Sequence, residues 1–275
     1  MNIREPILSP GWYPRNPEEI NEFLLPFRSF FPGNCPAAIV PHAGWYFSGR
    51  IAARAISKLQ NAETVVIIGG HNPQSFLFAE EEGVRTPFGI MEIDDELRVL
   101  LKKQLNGRAD KYPDNTVEVL LPMVHSFFPK ARLLWLRFPG NLSSFEAGKA
   151  IAIAAETLNR SIVVLGSTDL THYGDSYGFT PMGNGEAALD WVRNTNDAAF
   201  INAVLDGKPT EVLRRADEEY SSCSPGAVLG VLGYLNQQRV KNPVLLEYAT
   251  SADISGRNTG SFVGYAAISW EKKAS

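Results

Sequence analysis

This sequence predicts an α/β fold in which helices cover both faces of a mostly parallel or mixed central sheet. Three observations carry the prediction. Short β-rich runs alternate with helical patterns along the chain, the signature of a layered architecture. The strand candidates contain continuous apolar runs such as VVII and IVVL, without the polar alternation of a strand exposed on one face. No internal repeat, low-complexity tract or long linker interrupts the 275 residues. One domain over 1–275 is therefore expected, long enough to bury a conventional core.

The elements follow in order. AAIV (37–40) is the first clear strand and SGRIAARAISKLQ (48–60) the first helix; TVVIIG (64–69) is a strand and DELRVLLKKQL (95–105) a helix. ARLLWLRF (131–138) and SIVVLG (161–166) are strands on either side of the helix SFEAGKAIAIAAETLN (144–159). EAALDWVRNTNDAAFINAVLDG (186–207) reads as one long helix. SPGAVLGVLGYLNQQ (224–238) is another, entered through a serine and a proline suited to a cap and first turn. VLLEYAT (244–250) and SFVGYAAISW (261–270) complete the strands. Helices between parallel strands imply right-handed crossovers. The glycine-rich stretch GDSYGFTPMGNGE (174–186) is the most loop-like and reads as an active-site flap.

Composition narrows the function. A formal net charge of −4 and the lack of any Lys/Arg run argue against a nucleic-acid partner, which needs a basic patch or stripe. No window is long and apolar enough to span a bilayer. The N-terminal MNIREPILSPGWYP carries charge early and lacks the apolar core of a signal peptide, so a cytoplasmic location is expected. The two cysteines, Cys35 and Cys223, are then expected to be reduced.

Ligands of open α/β sheets bind beyond the carboxyl ends of strands, and three of the four histidines fall there. His42 follows AAIVP, His71 follows TVVIIGG, and His172 follows SIVVLGSTDLT. Any one of them could be a hydrogen-bonded core or loop residue, but three in equivalent positions point to a site. Neutral imidazole is a common ligand for Zn, Cu and Fe, and two histidines with an anionic ligand form a recurring divalent site with open positions. The anionic candidates are Asp169, three residues before His172; Glu118, in DNTVEVLLP; and Cys223, at a helix entrance where a thiolate is stabilised. Cys35 reads as a small buried hydrophobe, and His125 as a surface or packing residue. GxxxxGK[ST] and GxGxxG patterns are missing, and Ser167, the serine that follows the strand SIVVLG, lacks the flanking glycines of a nucleophile elbow, which sets aside phosphate-loop, serine-elbow and dinucleotide chemistry.

PHAGWYFSG, IIGGHN, DNTVEVLLP, GSTDLTHYG and CSPGAVLG together resemble the Memo family, which includes the B component of the AmmeMemoRadiSam gene set. The resemblance runs from about residue 5 to residue 270. It implies an α/β/α sandwich similar to class III extradiol dioxygenases and a metal pocket formed by His42, His71 and Cys223, with Asp169 and His172 lining it. Two departures stand out. Asn115 occupies the place of a histidine in the EHSxE pattern of many members, and an asparagine cannot shuttle a proton at neutral pH. A thiolate also replaces the dioxygenases' carboxylate, shifting preference toward Zn or Cu(I) while still admitting Fe(II).

The leading expectation is a non-haem metal-dependent oxidoreductase. Fe(II) is the first choice of ion, with Zn or Cu as others. His172 would be the general acid/base, oriented by Asp169, with Asn115 and Glu118 positioning substrate. Trp45, Tyr46 and Tyr173 would bind substrate, with Phe47, Trp12 and Tyr13 nearby. Small molecules or peptides are the expected ligands, and the gene-set resemblance implies AMMECR1-like and radical-SAM partners. The alternatives are a non-catalytic peptide- or protein-binding module using the same cleft, and a hydrolase using a metal-bound water.

Overall fold

The computed structural model describes residues 1–256 and 260–272. A nine-stranded mixed sheet forms its centre. Four parallel strands make the middle of that sheet: Ala37–Val40, Ile162–Ser167, Thr64–Gly69 and Arg132–Arg137, side by side in that order. Antiparallel partners flank them, Phe262–Trp270 against Ala37–Val40 and Leu77–Phe78 against Arg132–Arg137. His172–Tyr173, Pro243–Thr250 and Arg108–Ala109 complete the sheet at its margins. A smaller three-stranded sheet joins Ile3–Arg4, Gly83–Thr86 and Gly89–Glu92.

Successive side chains of a strand point to opposite faces, so each apolar run supplies two core layers. Val65, Ile67, Leu133, Trp135, Val163 and Leu165 face one layer with the helices Arg50–Ile56 and Leu121–Phe127. Val66, Ile68, Leu134, Leu136 and Val164 face the other, with Ser143–Thr157, Ala198–Leu205 and Pro225–Gln238. This is why VVII and IVVL show no alternation: both faces are covered.

Ser143–Thr157 and Pro225–Gln238 approach closely through glycines. A Cβ added at Gly233 would lie 1.8 Å from the carbonyl oxygen of Phe145, and one at Gly148 would lie 2.0 Å from that of Gly230. Neither backbone can yield as a side-chain tip would. Gly233→Ala is expected to cost about 2 kcal/mol through overpacking, measured as a lower midpoint in urea with an unchanged slope.

The strands predicted from the sequence all form, within a residue or so of their expected ends. The helix over 186–207 departs from expectation. It runs as Glu186–Trp191, a π-helical stretch Val192–Asp197, and Ala198–Leu205. The wider π stretch contains buried Asn196 and Asp197. Asp197 accepts bonds from Thr171 N (3.1 Å), the Thr171 hydroxyl (2.5 Å) and the Tyr248 hydroxyl (2.7 Å). Helices Pro17–Leu24 and Pro209–Glu219 were not anticipated. Among the described residues, no helix is long and apolar enough to cross a membrane.

Candidate metal centre

Parallel pairing brings the strand ends to one edge. Ala37–Val40 and Ile162–Ser167 align with Val40 opposite Ser167, and Thr64–Gly69 aligns on the other side with Ile68 opposite Gly166. Two residues beyond Val40 stands His42, two beyond Ser167 stands Asp169, and three beyond Ile68 stands His71. The register is confirmed by a bond across the gap, His42 N donating to Asp169 Oδ1 at 2.7 Å. Cys223 arrives from the opposite direction, two residues before the helix Pro225–Gln238, and its amide donates to the carbonyl of Asp169 at 3.2 Å.

His42, His71 and Cys223 thus converge, each offering a ligand atom within 4.8 Å of the others. His42 Nε2 is 3.3 Å from Cys223 Sγ. A four-coordinate ion with N and S donors at about 2.0 and about 2.3 Å would separate them by about 3.5 Å, so His42 and Cys223 already stand near that spacing.

The hydrogen-bond partners choose the ring nitrogens. Ser167 Oγ donates its only proton to the carbonyl of Thr116 (2.5 Å), so it must accept from His42 Nδ1 at 2.9 Å. His42 therefore carries its proton on Nδ1 and turns the Nε2 lone pair toward Cys223. Asp114 stands 3.3 Å from His71 Nδ1 and, as a carboxylate, can only accept. This leaves Nε2 of His71 as the ligand atom. A partner on the second imidazole nitrogen is the usual arrangement for metal-bound histidine.

Without an ion, the same contacts favour charge separation. Burial opposes ionisation of Cys223, but His42 and His71 outweigh it and hold the thiol well below its ordinary range. Burial also opposes a charged His42, yet Asp169 and Cys223 raise it to about 9. His71 rises to about 10, chiefly through its bonds to Asp114 and Cys223. Burial works against ionised Asp114, but His71, Thr116 and Arg137 lower it to about 2. Asp169 moves the other way: burial dominates and raises it.

A cavity of roughly 680 Å³ opens in front of the cluster. His42, His71, Asp169, His172 and Asn115 line its polar side, and Trp12, Tyr46, Phe47, Tyr177 and Tyr265 supply aromatic walls. His172 Nδ1 is 3.0 Å from the carbonyl of Leu170. A carbonyl only accepts, so Nδ1 carries a proton and Nε2 is the nitrogen turned to other partners. Asn115 donates its amide to the carbonyl of His42 at 3.1 Å, which leaves its oxygen as an acceptor. Tyr177 comes from the glycine-rich 174–186 stretch and packs edge-on against His172 at 4.9 Å between ring centroids.

Three sequence-predicted residues lie elsewhere. Glu118 is buried on the far side of its helical turn, where its carboxylate accepts from Ile7 N (2.9 Å), Leu8 N (3.0 Å) and the Tyr13 hydroxyl (3.0 Å). It clamps the N-terminal segment instead of facing the cavity. Trp45 turns inward, donating to the carbonyl of Val119 at 2.9 Å and packing on Phe23. Tyr173 is fully buried, stacked on Phe262, its hydroxyl bonded to Gly183 O and Met182 N. Cys35 is buried and free, and His125 packs within the core, 2.6 Å from the Thr86 hydroxyl. The sequence reading missed Asp114 and Ser167 as partners of the imidazoles. Asp114 stood in the quoted DNTVE, at a helix cap. Its second role is set by contacts distant in sequence.

Replacing Glu118 by glutamine substitutes an amide NH₂ for one acceptor oxygen and faces it toward a backbone N–H. Glu118→Gln is expected to cost about 2 kcal/mol and to speed amide hydrogen exchange at Ile7 and Leu8.

A fold with histidine and cysteine ligands gathered at parallel strand ends, before an aromatic-walled cavity, defines a candidate metal-binding α/β protein. The chain belongs to the Memo family: the model for Memo-like protein matches residues 4–269. A MEMO1 family protein of Pyrococcus abyssi is 32% identical over 97% of this chain and 98% of the relative. Another, of Thermococcus onnurineus, is 30% identical over 98% and 100%. Among solved structures, the uncharacterized protein JW3007 of Escherichia coli K12 aligns with TM-score 0.47 and 13% identity, over 85% of this chain and 99% of that one.

Proposed function

We propose that His42, His71 and Cys223 hold one divalent or redox-active metal ion, Fe(II) first and Zn or Cu as alternatives, and that the protein is a non-haem oxidoreductase acting on a ligand in the adjoining cavity. The observation that carries this reading is the convergence of three donors whose imidazoles are already oriented by Ser167 and Asp114. Three protein ligands leave coordination positions open, as in catalytic sites. A bound ion would supply Lewis acidity and, if iron or copper, electron transfer.

The chain's own groups have distinct tasks. His172 accepts a proton at Nε2 from a ligand in the cavity, with Nδ1 anchored on Leu170 O. Asp169, within 3.9 Å of His42 Nε2, holds the backbone of His42 and borders the same space. Asn115 offers a hydrogen-bond acceptor but no proton relay. The walls of the cavity carry Trp12, Tyr46, Phe47, Tyr177 and Tyr265, which favours a partly aromatic small molecule or peptide side chain. A cytoplasmic setting with AMMECR1-like and radical-SAM partners is proposed from the family resemblance alone.

Elemental analysis of anaerobically purified protein tests the centre. Near-stoichiometric iron, zinc or copper is expected in the parent and none in a His71→Ala, Cys223→Ser double variant. Parent protein that stays metal-free after incubation with Fe(II), Zn(II) and Cu(I) would favour the non-catalytic binding module. Zinc with oxygen-independent turnover would favour the hydrolase.

A further inference from the structure

We propose that Arg137 is the positioning residue of this centre: by clamping Asp114 it holds the His71 imidazole with Nε2 turned toward Cys223. The inference rests on the metal reading above and concerns how one ligand is aimed.

His71 is the least constrained of the three ligands. Its side chain is 46% exposed. It follows Gly70, at φ +110, and precedes Asn72, at φ 46, so it rides on a tight turn outside the sheet. Its orientation therefore depends on Asp114. Asp114 Oδ1 accepts from Thr116 N at 2.8 Å and from the Thr116 hydroxyl. These bonds fix one carboxylate oxygen. The other, Oδ2, is shared between His71 Nδ1 at 3.3 Å and Arg137 NH2 at 3.0 Å.

Arg137 is itself buried and paired on two sides. It ends the strand Arg132–Arg137 directly opposite Gly69, and its side chain is only 9% exposed. Its NH1 lies 3.0 Å from Asp110 Oδ1, and Asp110 Oδ2 accepts the indole N–H of Trp135 at 3.1 Å. The guanidinium thus spans two buried carboxylates with separate N–H groups, a geometry that a single ammonium cannot reproduce. A Cβ at Gly70 would approach Arg137 Cβ to 3.0 Å, so the turn bearing His71 lies directly against this arginine. Buried ion pairs contribute little net stability compared with packed apolar groups. Here the pairing supplies direction: it fixes the oxygen that receives His71 Nδ1–H.

The test uses the full chain with Zn(II) and Co(II) as probes. Arg137→Gln is expected to lower Zn(II) affinity ten- to a hundredfold, about the loss seen when outer partners of metal ligands are removed. The visible Co(II) bands should change in intensity, because the His71 donor is misdirected. Arg137→Lys should recover part of both. Circular dichroism confirms that each variant is folded. A folded Arg137→Gln with parental affinity and an unchanged Co(II) spectrum would falsify the proposal. Should the variant not fold, ¹⁵N-histidine spectra of the Zn(II)-loaded parent decide. Ligation through Nε2 with a hydrogen-bonded Nδ1–H on His71 is expected, and ligation through Nδ1 overturns the proposal. A parent that takes up neither ion overturns the metal reading itself, a result distinct from failure of the Arg137 variant alone.

Discussion

His42→Ala is expected to lower metal affinity by at least a thousandfold while leaving the protein folded. His42 is the most buried of the three proposed ligands and the one whose tautomer is fixed by two successive bonds, from its Nδ1 to Ser167 Oγ and from Ser167 to Thr116 O. Its loss leaves a two-donor site. Each tenfold in affinity is about 1.4 kcal/mol, so three decades correspond to roughly 4 kcal/mol, in keeping with the removal of one oriented donor. Truncation also removes packing beside Cys223, whose sulfur keeps the Asp169 amide at 3.3 Å. The fold should survive because the imidazole lies at the edge of the sheet and the apolar layers lie beneath it. Competition with a chelator of known strength gives the affinity, and thermal unfolding monitored by circular dichroism gives the fold. An affinity equal to the parent's would mean that the ligand set is wrong.

The second large effect concerns pH. Burial raises Asp197 to about 6 despite the hydroxyls of Thr171 and Tyr248 that bond its carboxylate. In the unfolded chain an aspartate titrates near 3.9. The native state therefore binds the proton more tightly than the unfolded state does. Stability from this group is fully present below about pH 4 and is lost as pH rises through about 6. A difference of about two pKa units corresponds to about 3 kcal/mol. The comparison that isolates it is parent against Asp197→Asn, a near-isostere that does not titrate. Urea unfolding of both at several values between pH 4 and pH 7 should show the parent losing about 3 kcal/mol relative to the variant. A constant difference across that range would remove Asp197 as the cause. Asp197 grips Thr171, immediately before His172, but none of the three proposed ligands touches it, so the same variant should leave Zn(II) affinity nearly unchanged.

Much of this arrangement was legible in the chain. Apolar runs of four to six residues marked the central strands, and small residues after them marked the edge where His42, His71 and Asp169 meet. The anionic ligand was harder. Sequence spacing left Asp169, Glu118 and Cys223 open, and family resemblance pointed to Cys223. Glu118 misled because Asn115 and Glu118 share one short helical turn yet face opposite sides. Asn115 reaches the His42 carbonyl, whereas Glu118 reaches backbone amides more than a hundred residues away. Trp45 misled for a similar reason. The π turn Trp45–Gly49 buries the tryptophan and presents Tyr46 and Phe47 to the cavity, a phase that ordinary helical spacing does not predict. The helix-forming residues on either side, EAALDW and AAFINAVL, concealed the π stretch between them.

The two bonded-distance neighbours at the heart of the centre, His42 and Cys223, are 181 residues apart in the chain. An ion held between them would therefore tie the first central strand to the last long helix across most of the polypeptide. Ligand linkage then makes the whole fold sensitive to free metal: at a hundred times the dissociation constant, binding stabilises the native state by about 2.7 kcal/mol. Free metal well above that constant would then raise the folded fraction of the whole chain.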